Sequence, residues 1–151
     1  MAALTSERNT REVFCNALNL HRVKEIAQGS VIHPGAIVAL NEAGKAVPAS
    51  DTANLVVIGR ADAFTVNGKI IVKSGMFIYD NAASGDALGN ADINRLVYVV
   101  DDHTVGKNGG SNKIPCGILR DILSPSEVIV EIGNHFLFPA GTISSADSTE
   151  A

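Results

Sequence analysis

The sequence contains no tryptophan, and its 151 residues include only five phenylalanines and two tyrosines. Its apolar content of 46 % is therefore carried mainly by Ala, Val, Ile and Leu. A core of small and β-branched side chains suits pleated sheets. A chain of this length can bury about 70 % of its unfolded surface without a metal or a disulfide, which predicts one compact domain with mobile ends.

Cysteine, long apolar runs and clustered positive charge are also scarce. The two cysteines, Cys15 and Cys116, are far apart in sequence. No apolar run approaches the roughly 20 residues that span a bilayer, and residues 1–11 lack the apolar core of a signal peptide. We therefore expect the chain to fold in a reducing cytoplasm with both thiols free and to make no membrane contact. The 12 Lys and Arg are scattered in a chain of net charge −4, which argues against direct nucleic-acid binding.

Common catalytic and metal-binding patterns are missing as well. The four histidines show no metal-ligand spacing, and neither Gly-x-Ser-x-Gly nor His-Glu-x-x-His occurs. Asp101-Asp102-His103 places three possible metal ligands together, but neighbours on an extended segment point to opposite faces. Residues 106–111 resemble a phosphate loop only superficially, because no helix follows, and a mobile loop is expected. Cys116 lies in an apolar run and reads as a small core residue. We predict no catalytic residue, no cofactor and no metal.

Apolar runs of strand length follow one another from residue 31 onward, with Asn, Gly, Ser or Pro between them. The runs are Val31-Ile32, Ala36–Leu40, Leu55–Gly59, Lys69–Lys73, Met76–Tyr79, Leu96–Val100, Ile114–Ile122 and Val128–Ile132. Turns are predicted at 41–44, 67–68, 74–75 and 124–126, and Asn90 is expected to cap one helical turn. Asp62, Asp80, Asp86 and Asp92 are expected to hydrogen-bond the backbone at turns and strand ends. This pattern predicts an all-β domain, a small β-barrel or β-tulip-like sheet with at most one or two short helices.

The chain divides into an N-terminal arm (1–21), a β-rich domain (22–133) and a C-terminal tail (134–151), whose Ala-, Ser- and Thr-rich end is expected to be disordered. The spacing of apolar residues in the arm permits either a short helix folded back on the domain or an extended arm that reaches a neighbouring molecule. Exposing that much apolar surface is costly, so the arm must dock somewhere. We favour the extended arm and predict that it forms a protein interface through Val13, Phe14, Leu18 and Leu20.

Several segments resemble the small tailed-phage head proteins known as capsid cement or head decoration proteins. They are Pro34–Asn41 with Ala46–Ala53, Val57–Ala61, Gly75–Asn81, and Ala91–Ile93 followed by Val97–Val105. The most similar is the last, where family members typically read Tyr-Val-Val-Asp-Asp-x-Thr-Val before a Gly-rich loop. The resemblance covers roughly residues 22–133. Family sequences often carry an aromatic residue near the last strand, where this chain has Val128-Ile129.

The resemblance implies a non-enzymatic virion protein on the outer surface of the phage head. Such a protein would clamp neighbouring subunits of the major capsid protein, as a homotrimer at local three-fold positions. Two alternatives stay open. One is another head or tail accessory protein, such as a head-fibre base or an adaptor. The other is a trimeric all-β nucleotide hydrolase, although its Asp-containing substrate loop and Gly-rich C-terminal motif are not legible here.

Overall fold

The computed structural model describes residues 2–14 and 21–133 of the chain. The helical elements among them are two 3₁₀ turns of three residues each, Ser84–Asp86 and Asn90–Asp92. The predicted all-β fold with at most two short helices is therefore confirmed. The strands, in chain order, are β1 (Glu12–Phe14), β2 (His21–Glu25), β3 (Ile37–Leu40), β4 (Ala46–Pro48), β5 (Val56–Val66), β6 (Lys69–Lys73), β7 (Gly75–Asn81), β8 (Leu96–Val99), β9 (Thr104–Gly106), β10 (Pro115–Ser124) and β11 (Glu127–Ile132).

Five of these strands close into a small β-barrel. Strand β7 pairs with β11, β11 with β10, β10 with β8, and β8 with β9, each time antiparallel. Strand β9 then returns to β7 in parallel, with Asp80 opposite Thr104 and Asn81 opposite Val105. Five strands that alternate in direction leave the first and the last pointing the same way, so the closing pair has to be parallel. The barrel predicted from the sequence is thus present.

Strand β1 extends the barrel sheet outside this ring. It pairs antiparallel with the first half of β7, with Glu12 opposite Phe77 and Phe14 opposite Met76. Strand β9 occupies the second half of the same edge of β7. One edge of β7 is therefore shared between the N-terminal segment and the strand that closes the barrel.

The other five strands form a second sheet in the order β2-β6-β5-β3-β4. Its two outer strands approach each other where Ile26, the residue after β2, and Ala46, the first residue of β4, form a single parallel bridge. The backbone N–H of Ala27 donates a hydrogen bond of 2.9 Å to the carbonyl of Ala46. This contact curls the second sheet into a nearly closed form.

Strand β3 separates two apolar cores and is buried on both faces. Ile37 and Ala39 belong to the larger core, which the barrel strands enclose. Val38, between them, belongs to the smaller core inside the second sheet. All three are fully buried. A strand buried on both faces carries apolar residues at every position, which explains why residues 36–40 form an uninterrupted apolar run in the sequence.

Three of the four predicted turns join neighbouring paired strands. Residues 41–44 connect β3 with β4, 67–68 connect β5 with β6, and 124–126 connect β10 with β11. Ser74-Gly75, predicted as a hairpin or strand-to-strand turn, joins β6 directly to β7, and it is not a hairpin because these strands belong to different sheets. Ser74 is buried at this crossing, and its hydroxyl donates to the carbonyl of Gly133 at 2.9 Å.

Two further local predictions are corrected by the structure. Val31 and Ile32 are not in a strand, and Val31 is 66 % exposed while Ile32 is buried. Asn90 does not cap the second 3₁₀ turn but is its first residue. The backbone N–H of the preceding Gly89 donates to the carboxylate of Asp92 at 2.9 Å instead. That bond is the side-chain-to-backbone role expected for Asp92.

Candidate functional site

Residues 2–14, called the N-terminal strap below, lie against their own domain. The backbone N–H of Arg8 donates to the carbonyl of Pro34 at 2.9 Å, and the hydroxyl of Thr10 donates to the carbonyl of Gly35 at 2.5 Å. Thr10 is buried by this contact. Gly35 has a φ of +93°, and a Cβ placed there would lie 1.8 Å from the carbonyl oxygen of Arg8. Glycine at this position therefore lets the strap pass in direct contact with the domain.

Two arginines of the strap form ion pairs with the barrel. The guanidinium of Arg8 donates to both carboxylate oxygens of Asp80, at 2.8 and 3.2 Å. The guanidinium of Arg11 donates to both oxygens of Glu127, at 2.8 and 3.0 Å. The Arg8 pair is the less exposed of the two, so solvent and salt screen it less. Asp80 was expected to bond to the backbone, and its main partner is this arginine instead.

Within residues 2–14 the arm is extended and reaches β1, which pairs with β7 of its own domain. Residues 15–20 lie outside the described residues, so the choice between a folded-back helix and an extended arm is not decided there. Val13 and Phe14 belong to β1, but their side chains lie outside the described residues, as do Leu18 and Leu20 entirely. The prediction that these four residues form a protein interface stays a prediction. The C-terminal tail from residue 134 onward also lies outside the described residues.

Asp101, Asp102 and His103, called the 101–103 cluster below, occupy the bend between β8 and β9. The Nδ1 atom of His103 lies 2.9 Å from Oδ1 of Asp102 and 3.2 Å from Oδ1 of Asp101. One possible metal-ligand atom from each residue lies within 4.8 Å of the others. The sequence argument against their convergence assumed an extended backbone, and it is wrong because the bend turns the three side chains toward one point.

The 101–103 cluster is mostly buried and is contacted by the strap. Asp101 and Asp102 are only 5 % and 2 % exposed. The backbone N–H of Leu4 donates to both carboxylate oxygens of Asp102, at 3.1 and 3.2 Å. Oδ1 of Asp101 accepts the backbone N–H of His103 at 3.0 Å. Oδ2 of Asp101 and the hydroxyl of Thr104 are buried without a hydrogen-bond partner in the described part of the chain.

The Gly-rich loop at residues 106–111 is anchored at its far end by Asp51. The Asp51 carboxylate accepts the backbone N–H groups of Ser111 and Asn112, at 3.0 and 2.9 Å. A Cβ at Gly110 would lie 2.3 Å from that carboxylate, so the glycine makes room for it. Burial alone would raise the pKa of Asp51, but the hydrogen bonds from Asn112 and Ser111 outweigh it and hold the pKa below its ordinary value.

A second aspartate anchors the near end of the same loop. The Asp86 carboxylate accepts the backbone N–H of Asn108 at 2.5 Å, and its carbonyl accepts the N–H of Lys107 at 3.0 Å. A Cβ at Gly106 would lie 2.3 Å from the Asp86 carboxylate. The sequence predicted a mobile loop because low apolar content and glycines leave little to hold it. The structure shows two carboxylates packed into the space that the glycines leave, and the mobility of the loop stays a prediction.

Cys116 is a free thiol in the barrel core, as the sequence predicted. Burial raises its pKa to about 12, so the nucleophilic thiolate is essentially absent near neutral pH. Burial also raises the pKa of Tyr79 well above its ordinary value, and the Tyr79 hydroxyl is buried without a hydrogen-bond partner in the described residues. Both side chains act as packing groups of the barrel. Cys15 lies outside the described residues.

Comparisons of this chain with known protein families, with curated proteins and with solved structures found no match. Within residues 2–14 and 21–133, no helix is both long enough and apolar enough to cross a membrane. Functional assignment therefore depends on the residues themselves and on the contacts that the fold gives them.

Proposed function

We propose that this protein is a virion structural protein that binds the outer surface of a phage head and cements neighbouring subunits of the major capsid protein. The observation that carries the proposal is the resemblance of residues 97–105, followed by a Gly-rich loop, to the corresponding segment of capsid cement proteins. No catalytic step is part of the proposal.

The contacts of this segment support a structural reading of its polar residues. In an enzyme, a buried pair of carboxylates beside a histidine would face a substrate site. Here Asp102 accepts the backbone N–H of Leu4, and its carbonyl accepts the N–H of Ile37 at 2.8 Å. The carbonyl of His103 accepts the N–H of Asp80 at 2.9 Å. The segment thus joins the strap, the second sheet and the barrel, which is a role in holding the fold.

A barrel that is closed and strapped in this way suits a cement protein physically. Each copy would make modest contacts with two or more capsid subunits, and an oligomer would multiply those contacts into firm attachment. Because such a protein binds the assembled lattice and not dispersed subunits, it stabilises the capsid by mass action. The proposed oligomer is a homotrimer.

The test is binding of the purified chain to expanded heads of the phage that encodes it. Heads without the protein are mixed with increasing amounts of it, sedimented, and analysed for bound copies. Binding should saturate at a fixed number of copies per capsid subunit and should raise the temperature at which the heads disrupt. The matched control is the same capsid protein in unassembled form, which should not bind.

Localisation in a reconstruction of the particle separates this role from other structural roles. Density for three copies of the protein at each three-fold position of the outer head surface supports the proposal. Density confined to a tail, a fibre or a neck, or no binding to saturating heads, would overturn it.

A further inference from the structure

We propose, independently of any role on a capsid, that the 101–103 cluster binds one divalent transition-metal ion through His103 and the carboxylates of Asp101 and Asp102. The ligand atoms are Nδ1 of the imidazole and one oxygen of each carboxylate. The class of ion follows from the donors, because imidazole nitrogen with carboxylate oxygen suits Zn²⁺, Co²⁺ or Mn²⁺, whereas Ca²⁺ and Mg²⁺ are held by oxygen ligands.

The spacing of the donor atoms fits a metal site. In tetrahedral coordination with bonds of about 2.0–2.1 Å, neighbouring ligand atoms lie about 3.3 Å apart. Nδ1 of His103 lies 2.9 and 3.2 Å from the two carboxylate oxygens. These two distances are a few tenths of an ångström shorter than that spacing, and all three ligand atoms lie within 4.8 Å of one another.

An unpartnered oxygen is a second, separate indication of a missing ligand. Oδ2 of Asp101 is buried, and no hydrogen-bond donor of the described residues reaches it. A charged oxygen that is buried without a partner is strongly unfavourable, so such atoms normally have one. Nδ1 of His103 lies within ion-pair distance of both carboxylates, but the imidazole is charged only when it is protonated. A bound cation would supply the missing charge.

The backbone around the cluster is held in place before any ion arrives. The N–H groups of Val100 and Asp101 both donate to the carbonyl of Thr104, at 2.9 and 3.3 Å. The N–H of Leu4 orients the Asp102 carboxylate from outside, as second-layer donors do in known metal sites. The imidazole of His103 is 18 % exposed, which leaves an edge of the site open to solvent. Water can complete the coordination there.

Coordination uses the lone pair of Nδ1 of His103. A hydrogen on that nitrogen therefore has to leave it on binding, either to the second ring nitrogen or to solvent.

The first test uses the full chain and Zn²⁺ as the chloride salt, against the chain stripped with a chelator. Calorimetric titration should show one ion per chain at this site. The melting temperature should rise by several degrees in excess Zn²⁺ and return after chelation. H103Q and D101N should lose this shift. The matched control H33Q, at a histidine outside the cluster, should keep it.

A measurement on the unmutated chain decides the question even if a variant fails to fold. Nitrogen NMR of the histidine rings should show both nitrogens of His103 shifting with one equivalent of Zn²⁺, while those of His33 stay unchanged. The proposal is overturned if the His103 signals do not move. It is equally overturned if H103Q binds the same number of ions with the same affinity, because binding would then lie elsewhere.

Discussion

Replacing Gly35 by alanine should push the N-terminal strap off the domain. The added Cβ would lie 1.8 Å from the carbonyl oxygen of Arg8 and 2.8 Å from the hydroxyl oxygen of Thr10. Rotation of a side chain cannot relieve the first overlap, because the atom of Arg8 belongs to the backbone. The strap must move, and its hydrogen bonds to Pro34 and Gly35 are then lost.

The expected loss of stability can be worked from these contacts. Each hydrogen bond contributes about 1 kcal/mol, and the half-exposed pair of Arg8 with Asp80 adds about 0.5–1 kcal/mol. The left-handed backbone at Gly35, with its φ of +93°, costs any other residue about 1–2 kcal/mol. Together they predict a loss of about 3–5 kcal/mol in the free energy of unfolding. For a domain of this size that lowers the melting temperature by roughly 10–15 °C.

The matched control is alanine at Gly44, which has a similar φ of +76° but no atom within 4 Å of the added Cβ. G44A should therefore show the backbone strain alone, about 1–2 kcal/mol. Urea unfolding followed by circular dichroism measures both variants. Hydrogen exchange at the amide of Arg8 should be fast in G35A and slow in G44A.

Truncation of residues 2–10 completes the comparison as a double-mutant cycle. Without Arg8 and Thr10, alanine at Gly35 meets no strap, so G35A should cost only as much as G44A. The reasoning is refuted if G35A costs the same with and without residues 2–10, or if it is no more destabilising than G44A in the full chain.

Three further outcomes are expected. Truncation of residues 2–10 alone should lower the melting temperature by several degrees, since the contacts of Arg8 and Thr10 are lost, and an unchanged melting curve would show that the strap adds no stability. D51A should lose about 1–3 kcal/mol near pH 7. The folded-state pKa of Asp51 lies below its ordinary value of 3.8, so the stabilisation by its carboxylate is complete above pH 3.8 and is lost as the pH falls through the folded-state pKa. The difference in unfolding free energy between wild type and D51A should therefore shrink in acid, and a difference that stays constant would contradict this prediction. Cys116 should resist alkylation at about pH 8 until denaturant is added, as mapped by mass spectrometry, and rapid labelling of the native protein would count against its burial.

The strands that sequence reasoning missed were short or had little apolar content. Strand β2, His21–Glu25, is mostly charged and lies at the outside of its sheet, where charged side chains are common. Strands β4 and β9 have three residues each, too few to show a period. Strands β3 and β6, by contrast, agree with the predicted runs to within one residue. Length and burial decided which strands could be recognised.

The roles of several polar residues could not be read from the sequence for a different reason. Asp51 and Asp86 resemble ordinary turn residues, and nothing near them in the chain indicates that both hold the loop after β9. The strap carried no recognisable signal beyond its apolar residues. The sequence around Gly35 likewise gives no sign of its close contact with the backbone of Arg8.

The sequence by itself determined the all-β class, the small barrel, most of the strands and turns, and the burial of Cys116. These depend on alternation, turn chemistry and apolar runs, which are local along the chain. Only the tertiary structure decided where the strap lies and that Asp101, Asp102 and His103 converge. Leu4 and Asp102 are 98 positions apart, and Arg8 and Asp80 are 72 apart. Contacts at such separations arise because closing the barrel brings distant segments together, and no local pattern encodes which of them meet.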